Sequence, residues 1–340
     1  MNKRPTLADV AARAGLSKTA VSLVLNERPG SRLSADAVAR IHEAARELNY
    51  RPNAQARSLR LGTTGTVGFI SDDVTVTRFA SAMIRGLLDT ADERDRGVLI
   101  AETFKHPKQM RKAMEAMVDR QVDGIIFGAL SARLIDLPTL PEGMRAVTVN
   151  CVNPDVPVAV LPAEEEAGYA MTRRLLDAGH GDGIAIIGNA PVARTDPKIS
   201  VTIGSRFNGI HRALDEAGVK PVAVADFEYW EPWNGYDATK QVLASGAPVT
   251  ALLCLNDRVA FGAQQAMQEK GLRIPDDLSV ASFDDDQIAA YMRPGLTTAQ
   301  LPYLEMGRKA LELLLDPTPT PGEHLVEMPI QVRESIRPLT

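Results

Sequence analysis

The sequence predicts an α/β protein in two parts: an all-α helix-turn-helix headpiece, then a two-lobed core of parallel sheets flanked by helices. Three observations predict it. Apolar residues recur at helical spacing through the first fifty residues and change, from Thr66 on, to short apolar runs alternating with amphipathic stretches. The alternation restarts after Pro162, which gives two lobes rather than one sheet. Charge divides near the same boundary: residues 1–62 hold 11 Lys and Arg against 5 Asp and Glu, net +6, and the remainder is net −11. A basic module of this size on an acidic body is the charge distribution that contact with nucleic-acid phosphates requires.

The stretch TLADVAARAGLSKTAVSLVLN (Thr6 to Asn26) sets the reading of the headpiece. Leu7, Val10, Ala11 and Ala14 make one apolar helical face, and Thr6 with Asp9 three residues later supplies a cap and a carboxylate at its start. Gly15 and Leu16 break the run. Ser17 then caps a second helix whose inward face is Ala20, Val21, Val24 and Leu25, which leaves Lys18, Thr19 and Ser22 on its other side. Polar and basic residues on the first turns of such a helix are what a major-groove reader needs. Ser34 caps a third helix, ADAVARIHEAARELN, whose Val38, Ile41, Ala45 and Leu48 close a small core, and Pro52 ends it. The following NAQARSLRLG, Asn53 to Gly62, is too short to be a stable helix alone and suits ordering on binding. Leu59, between Arg57 and Arg60, has the form of a minor-groove wedge.

In the core, TVGFI, GVLIAE, DGIIFG and AVTVNC read as strands of the first lobe, with helices over 79–92 and 107–120. In the second, GIAIIG, PVAVAD, TALLCL and LSVASF are strands, and helices cover 164–178, 206–217, 236–245 and 257–270. Two such lobes leave a ligand cleft at the carboxyl ends of their strands. Asp72, Asn150, Asn256 and Asp284 each stand at or just past a strand end, Arg206 is expected to open a helix, and Trp230 and Trp233 follow PVAVAD. A cation at a helix start is poorly placed against the dipole, so Arg206 should have a specific anionic or hydroxyl partner. Planar rings beside carboxylates and amides suit a polyol or a flat heterocycle. The structural alternatives are that Asn256 only caps the next helix, that Asp284 to Asp286 form a solvated turn, and that either Trp belongs to the core.

No apolar run approaches the roughly 20 residues that span a bilayer, and MNKRPT is not a signal peptide, so a cytoplasmic protein is expected. Cys151 and Cys254 lie in separate apolar strands and read as buried thiols. No GxGxxG, GxxxxGK(S/T) or GxSxG occurs, and the five histidines are scattered, so no enzyme, cofactor or metal site is expected.

Taken together, TLADVAARAGLSKTAVSLVLN, ARELNYRPNAQARSLR, TVGFI, DGIIFG, SRFNGI, LLCLNDRVAFGA, SVASFDDDQIA and PGLTTAQLPYLEMGRKALELL resemble the lactose and galactose repressor (LacI/GalR) family over nearly the whole chain. The resemblance implies a headpiece over 1–50 that reads the major groove and a hinge over 51–62 that reads the minor groove. It also implies a periplasmic-binding-protein-like effector core over 63–340, its first lobe about 63–162 with 298–325 and its second about 163–297 with 326–340. By position, Ser17, Lys18, Thr19, Ser22, Asn26 and Arg32 are similar to the family's headpiece contacts, Tyr50 and Asn53 to residues bordering the DNA backbone, and Ala56 and Leu59 to the hinge's minor-groove face. Asp72, Asn150, Arg206, Trp230, Asn256 and Asp284 are similar to the effector-binding positions. Ala20, where the family usually has Thr, and Leu23, where many members have Arg or His, depart from it; leucine can touch a thymine methyl but cannot hydrogen-bond guanine.

The function implied is sequence-specific repression by a homodimer on a pseudo-palindromic operator, controlled by a small-molecule effector, most simply a sugar or sugar derivative, that either weakens or strengthens DNA binding. A sugar-binding protein without specific DNA readout is the alternative. It would share the core but not the basic headpiece.

Overall fold

The computed structural model describes residues 5–26, 33–50, 62–77 and 80–339, and the chain forms two compact units, Met1–Gly65 and Thr66–Thr340. The first contains helices α1 (Leu7–Ala14), α2 (Lys18–Leu25) and α3 (Ala35–Glu47). Each begins on a side-chain cap. Thr6 and Asp9 form a reciprocal capping box, Ser17 Oγ accepts from the Ala20 N–H, and Ser34 Oγ accepts from the Ala37 N–H. Gly15, at φ +67°, ends α1 in the left-handed region where a side chain would be strained. Val10, Ala11, Ala14, Val21, Val24, Ile41, Ala44 and Ala45 are buried together. Leu25, Val38 and Leu48 are only half-buried, because three short helices cannot enclose more.

The second unit holds two six-stranded sheets. The N-lobe sheet has the order β11-β5-β4-β3-β1-β2, with β1 Thr66–Asp72, β2 Gly97–Glu102, β3 Ile125–Leu134, β4 Ala146–Val152, β5 Val158–Pro162 and β11 Gly322–Val326. The C-lobe sheet has the order β12-β10-β9-β8-β6-β7, with β6 Ile184–Asn189, β7 Ala223–Asp226, β8 Ala251–Cys254, β9 Ser279–Asp284, β10 Thr297–Gln300 and β12 Ile330–Gln331. Every pairing is parallel except β10 with β12. Helices α4 (Ser81–Glu93), α5 (Pro107–Asp119) and α11 (Tyr303–Leu315) cover the N-lobe sheet; α6 (Glu164–Asp177), α7 (Ile203–Ala217), α8 (Pro232–Ala244), α9 (Asp257–Glu269) and α10 (Gln287–Tyr291) belong to the C-lobe. None of the described helices is long and apolar enough to cross a membrane.

The chain passes between lobes after β5, after β10 and after β11. β10 belongs to the C-lobe sheet, so the return to the N-lobe comes at Leu301–Pro302, a few residues later than the boundary expected at 298. The last segment then ties down the C-lobe: Ser335 Oγ donates to Val280 O (2.6 Å), the Leu339 N–H to Ala178 O (2.7 Å), and His180 Nε2 lies 2.9 Å from Arg337 O. Helices α6 and α7 cross closely because Gly168 and Gly209 face each other's backbones; a Cβ on Gly209 would sit 1.9 Å from Glu165 O, and one on Gly168 2.2 Å from Arg206 O. That crossing sets Glu164 beside Arg206.

Candidate nucleic-acid interface and ligand cleft

On the first unit, Ser17, Lys18 and Thr19 are exposed at the amino end of α2, while Ser22 and Asn26 are half-buried farther along it. Ser17 holds the helix start, its Oγ 3.1 Å from the Ala20 nitrogen. Asn26 ends the helix, its Nδ2 donating to Ser22 O at 2.7 Å. Ala20 and Leu23 are half-buried, so the two positions that depart from the family pattern lie on this same short helix. The arginines of α1 and α3 are paired, Arg13 with Glu47 at 2.7 Å, Arg40 with Asp36 at 3.2 Å, and Arg46 with Glu43. No carboxylate among the described residues pairs with Lys18. Tyr50 follows α3 and is half-buried, its phenol pKa raised by burial. Arg32, Asn53, Ala56 and Leu59 lie outside the described residues.

The core brings the six cleft candidates into two linked groups. In the C-lobe, Arg206 is buried and donates from both Nε and Nη2 to Glu164, at 2.6 and 2.8 Å, and from Nη1 to Leu255 O. Its guanidinium lies 3.7 Å from Asp284, 4.5 Å from the centre of the Phe283 ring and 5.5 Å from that of Trp230. Trp230 is oriented by its indole N–H, which donates to Gly188 O at 2.9 Å. Asn256 caps α9, accepting from the Val259 N–H at 2.8 Å, and turns its amide N–H toward Trp230 O at 3.3 Å. Asn256 is therefore a cap whose amide also reaches the backbone of Trp230. Trp233 is 62% exposed and stands apart from the Arg206 cluster. The Asp run is not merely a solvated turn: Asp284 faces Arg206, and Asp285 pairs with Arg333 at 2.6 Å.

Arg206 does not open a helix, as the sequence suggested. α7 begins at Ile203, which makes Arg206 its fourth residue, at the end of the first turn, with its side chain buried. The expected anionic partner exists, and it is the chain's own Glu164.

In the N-lobe, Asp72 ends β1 and pairs with Arg133. A register shift in the β3–β4 ladder between Gly128 and Arg133 carries Arg133 to that position. Asn150 lies in β4 two residues before its end, donating to Ala129 O and Leu130 O at 3.0 and 2.9 Å. Tyr303 joins the groups: its hydroxyl donates to Leu130 O at 2.8 Å, its side chain hydrogen-bonds Asn150, and Asp284, Glu164 and Arg206 all act on its phenol. The β3 extension also bonds directly to the C-lobe, since the Leu134 N–H donates to Pro197 O and the Val201 N–H to Ala132 O, each at 2.8 Å.

Two backbone conformations mark this floor. Asn150 at φ +54°, near the end of β4, and Asp284 at φ +106°, the last residue of β9, occupy regions that side chains disfavour, and residues held in such regions cluster at functional sites. The electrostatics agree. Burial pushes the Asp284 carboxyl up to about 7, with Arg206 opposing the shift and Glu164 and Asp286 adding to it. Burial, and then Asp284, holds the neighbouring Asp257 well above the carboxylate range. Burial disfavours the Arg206 charge, but Glu164, Asp284 and Asp257 outweigh it and raise its pKa. The floor is thus rich in carboxylates, and each of its two guanidiniums is already engaged by one. Such a surface accepts hydrogen bonds from hydroxyls and stacks a ring against Trp230.

Glu164, Arg133 and Tyr303 were missed by sequence reasoning. Glu164 is one of three consecutive glutamates and differs from the others only by facing inward, a distinction the α6–α7 crossing makes. Arg133 depends on the register shift. Tyr303 sits at the start of an apolar helix and reads as core.

Residues 6–53 match the family model for bacterial regulatory proteins of the lacI family, and residues 172–336 match that for a periplasmic binding protein-like domain. The ribose operon repressor of Haemophilus influenzae is 32% identical, over 97% of this chain and 98% of its own length. The HTH-type transcriptional repressor PurR of Erwinia tasmaniensis is 33% identical over 92% of this chain and 89% of its own length. Among solved structures, the lac repressor dimer bound to operator and the anti-inducer ONPF aligns with a TM-score of 0.74 at 25% identity, over 98% of this chain and 100% of its own. The complex of the transcriptional regulator CelR with cellobiose aligns at 0.63 and 26% identity, over 98% of this chain and 100% of its own.

Proposed function

Since the chain belongs to the LacI family of bacterial regulatory proteins, and so is a DNA-binding transcriptional regulator with an effector-binding core, we propose that it represses as a homodimer on a pseudo-palindromic operator and that a sugar or sugar derivative in the cleft of the core sets its affinity. The observation that carries this reading is the exposed Ser17, Lys18 and Thr19 at the amino end of a capped helix, the part of a recognition helix that meets base edges. Ser22, Asn26 and Arg32 extend that surface, Tyr50 and Asn53 border the phosphates, and Ala56 and Leu59, in a hinge over 51–62, face the minor groove.

Asp72, Asn150, Arg206, Trp230, Asn256 and Asp284 form the effector site, with Glu164, Arg133 and Tyr303 added to them. Paired arginines and several carboxylate acceptors favour hydroxyl-rich ligands. The effector acts only as far as it binds one arrangement of the lobes more tightly than the other. Exposed Leu88 on α4 and Ile100 on the edge strand β2 supply apolar surface for a twofold contact in the N-lobe.

The core works by binding rather than catalysis. Cys151 and Cys254 are buried, and burial pushes the Cys151 thiol up to about 12 and the Cys254 thiol higher still, so neither is a nucleophile at neutral pH. A regulator of this kind works where its operator is, in the cytoplasm.

Selection from randomised duplex DNA with the full-length protein, at near-physiological salt, tests the proposal. Enrichment of a pseudo-palindrome with a flexible pyrimidine–purine step at its centre is expected, with enriched DNA released or tightened by a sugar. Enrichment of nothing, with and without pooled sugars and nucleobases, would leave only the sugar-binding alternative.

A further inference from the structure

A second concavity lies outside the cleft floor, between the turn after β6 and the exposed side of α7. It is open to solvent, has a volume of about 370 Å³ and is lined by Pro191, Arg194, Thr195, Gly204 and Asn208. Its volume falls in the range of small-ligand sites.

The turn that forms one wall is internally bonded: the Arg194 N–H donates to Ala190 O at 3.1 Å and the Asp196 N–H to Val192 O at 2.9 Å. Glu228 holds its outer side, accepting from the Val192 and Ala193 N–H groups at 3.0 and 3.3 Å. Gly204 allows the opposite wall to come close, since a Cβ there would stand 2.9 Å from Arg194 O.

Arg194 differs from the two arginines of the cleft floor. Arg133 is neutralised by Asp72 and Arg206 by Glu164. Arg194 instead stacks on Phe207, 4.5 Å above the ring centre, and donates from Nη1 to the amide oxygen of Asn189 at 3.1 Å, and no carboxylate among the described residues pairs with it. Its fixed, stacked guanidinium keeps donor capacity for a planar or tetrahedral oxyanion. Asn208 presents an exposed amide one turn into α7. The Thr195 hydroxyl already donates to Pro191 O and Val192 O, at 3.2 and 3.3 Å, so toward the concavity it can only accept, which suits a ligand hydroxyl.

We propose that this concavity is a second small-molecule site, separate from the cleft, for a hydroxylated compound that carries one oxyanion, a phosphate or a carboxylate, held by Arg194 and Asn208. The same turn continues into the segment whose Pro197 and Val201 bond the N-lobe strand, so a ligand held here acts on the segment that ties the lobes together.

Calorimetric titration of the full-length protein at about 50 mM salt, where charge screening is modest, tests the site with three probes: glucose 6-phosphate, gluconate and uncharged glucose. At least one charged probe binds in a manner that Arg194→Gln weakens by about tenfold or more, the loss expected for a charged hydrogen bond. Asn208→Asp, which places a like charge in the concavity at an exposed position, weakens it as well. A response to glucose 6-phosphate alone assigns the oxyanion as phosphate, and one to gluconate alone as carboxylate. Absence of binding by both charged probes overturns the proposal. So does binding that survives Arg194→Gln and Asn208→Asp, because the anion then sits in the headpiece or on the cleft floor. None of these readouts involves DNA, so they stand apart from the repressor reading.

Discussion

Replacing Glu164 with alanine is the sharpest test of the cleft floor. The substitution leaves the buried Arg206 guanidinium without its two-point partner, and breaking a buried pair from one side costs about 3–5 kcal/mol. What remains around the guanidinium is Leu255 O, the rings of Phe283 and Trp230, and Asp284 at 3.7 Å. Asp284 sets the pH dependence. In the intact protein burial pushes its carboxyl up to about 7, and Glu164 adds to that shift by repelling its charge. Without Glu164 it ionises at lower pH and becomes the counter-ion of Arg206. Between the lowered value and 7, the intact protein holds a proton that the variant has lost, so the stability gap between them narrows as pH rises, by at most about 1.4 kcal/mol per pH unit. The cost therefore lies near the upper figure at pH 5.5 and near the lower one at pH 8. At about 2–4 °C per kcal/mol for a unit this large, the core melts roughly 6–20 °C lower, with the larger drop at acid pH. Thermal melts of the full chain at both pH values decide it. A drop below about 2 °C, or an equal drop at both, would refute the account of Glu164 and Asp284 as competitors for one guanidinium.

Three further predictions follow from the same geometry. Gly209→Ala drives a Cβ to 1.9 Å from Glu165 O and forces α6 and α7 apart; urea unfolding should show a loss of about 1–3 kcal/mol or more, with weakened ligand binding because Glu164 and Arg206 are drawn apart. Ser17→Ala removes the cap of α2 and should cost about 1 kcal/mol, seen as faster amide exchange in α2 but not in the C-lobe sheet. Lys18→Ala should weaken operator binding about tenfold, and if Lys18 meets a phosphate the slope of log affinity against log salt should fall by about 1; an unchanged affinity would remove Lys18 from the interface.

Much of the architecture is legible in the residues because it follows from local chemistry. Thr6, Ser17 and Ser34 cap the three headpiece helices where the pattern placed their starts, and β1, β4, β6 and β9 coincide with apolar runs. The start of α7 was misplaced by three residues because Thr202 makes no side-chain cap and the preceding VTIG has no helical signal. β11, Gly322–Val326, lies at a sheet edge and carries mostly exposed or half-buried residues, so it has no apolar signature. Asp72, Asn150, Asn256 and Asp284 could be placed at or near strand ends from the alternation of apolar runs alone. The positions of Glu164, Arg133 and Tyr303 could not be read this way, since a helix crossing, a register shift and a connection between lobes set them, and none of these is a local property.

The route of the chain between lobes bears on how the protein is made. The N-lobe sheet lacks its edge strand β11 until residue 326 has been synthesised, by which point nearly all of the C-lobe has left the ribosome. The C-lobe in turn waits for Ser335, Arg337 and Leu339 to fasten its sheet and the α6 end. Contacts spanning so much sequence slow folding, and partly built sheets expose edges to neighbouring chains. The headpiece, with local contacts only, folds as it emerges. A nascent chain stalled near residue 320 is therefore a finished DNA-binding unit attached to an unfinished sensor, and ribosome-bound chains of increasing length should acquire the headpiece early and both lobes of the core together, at the end.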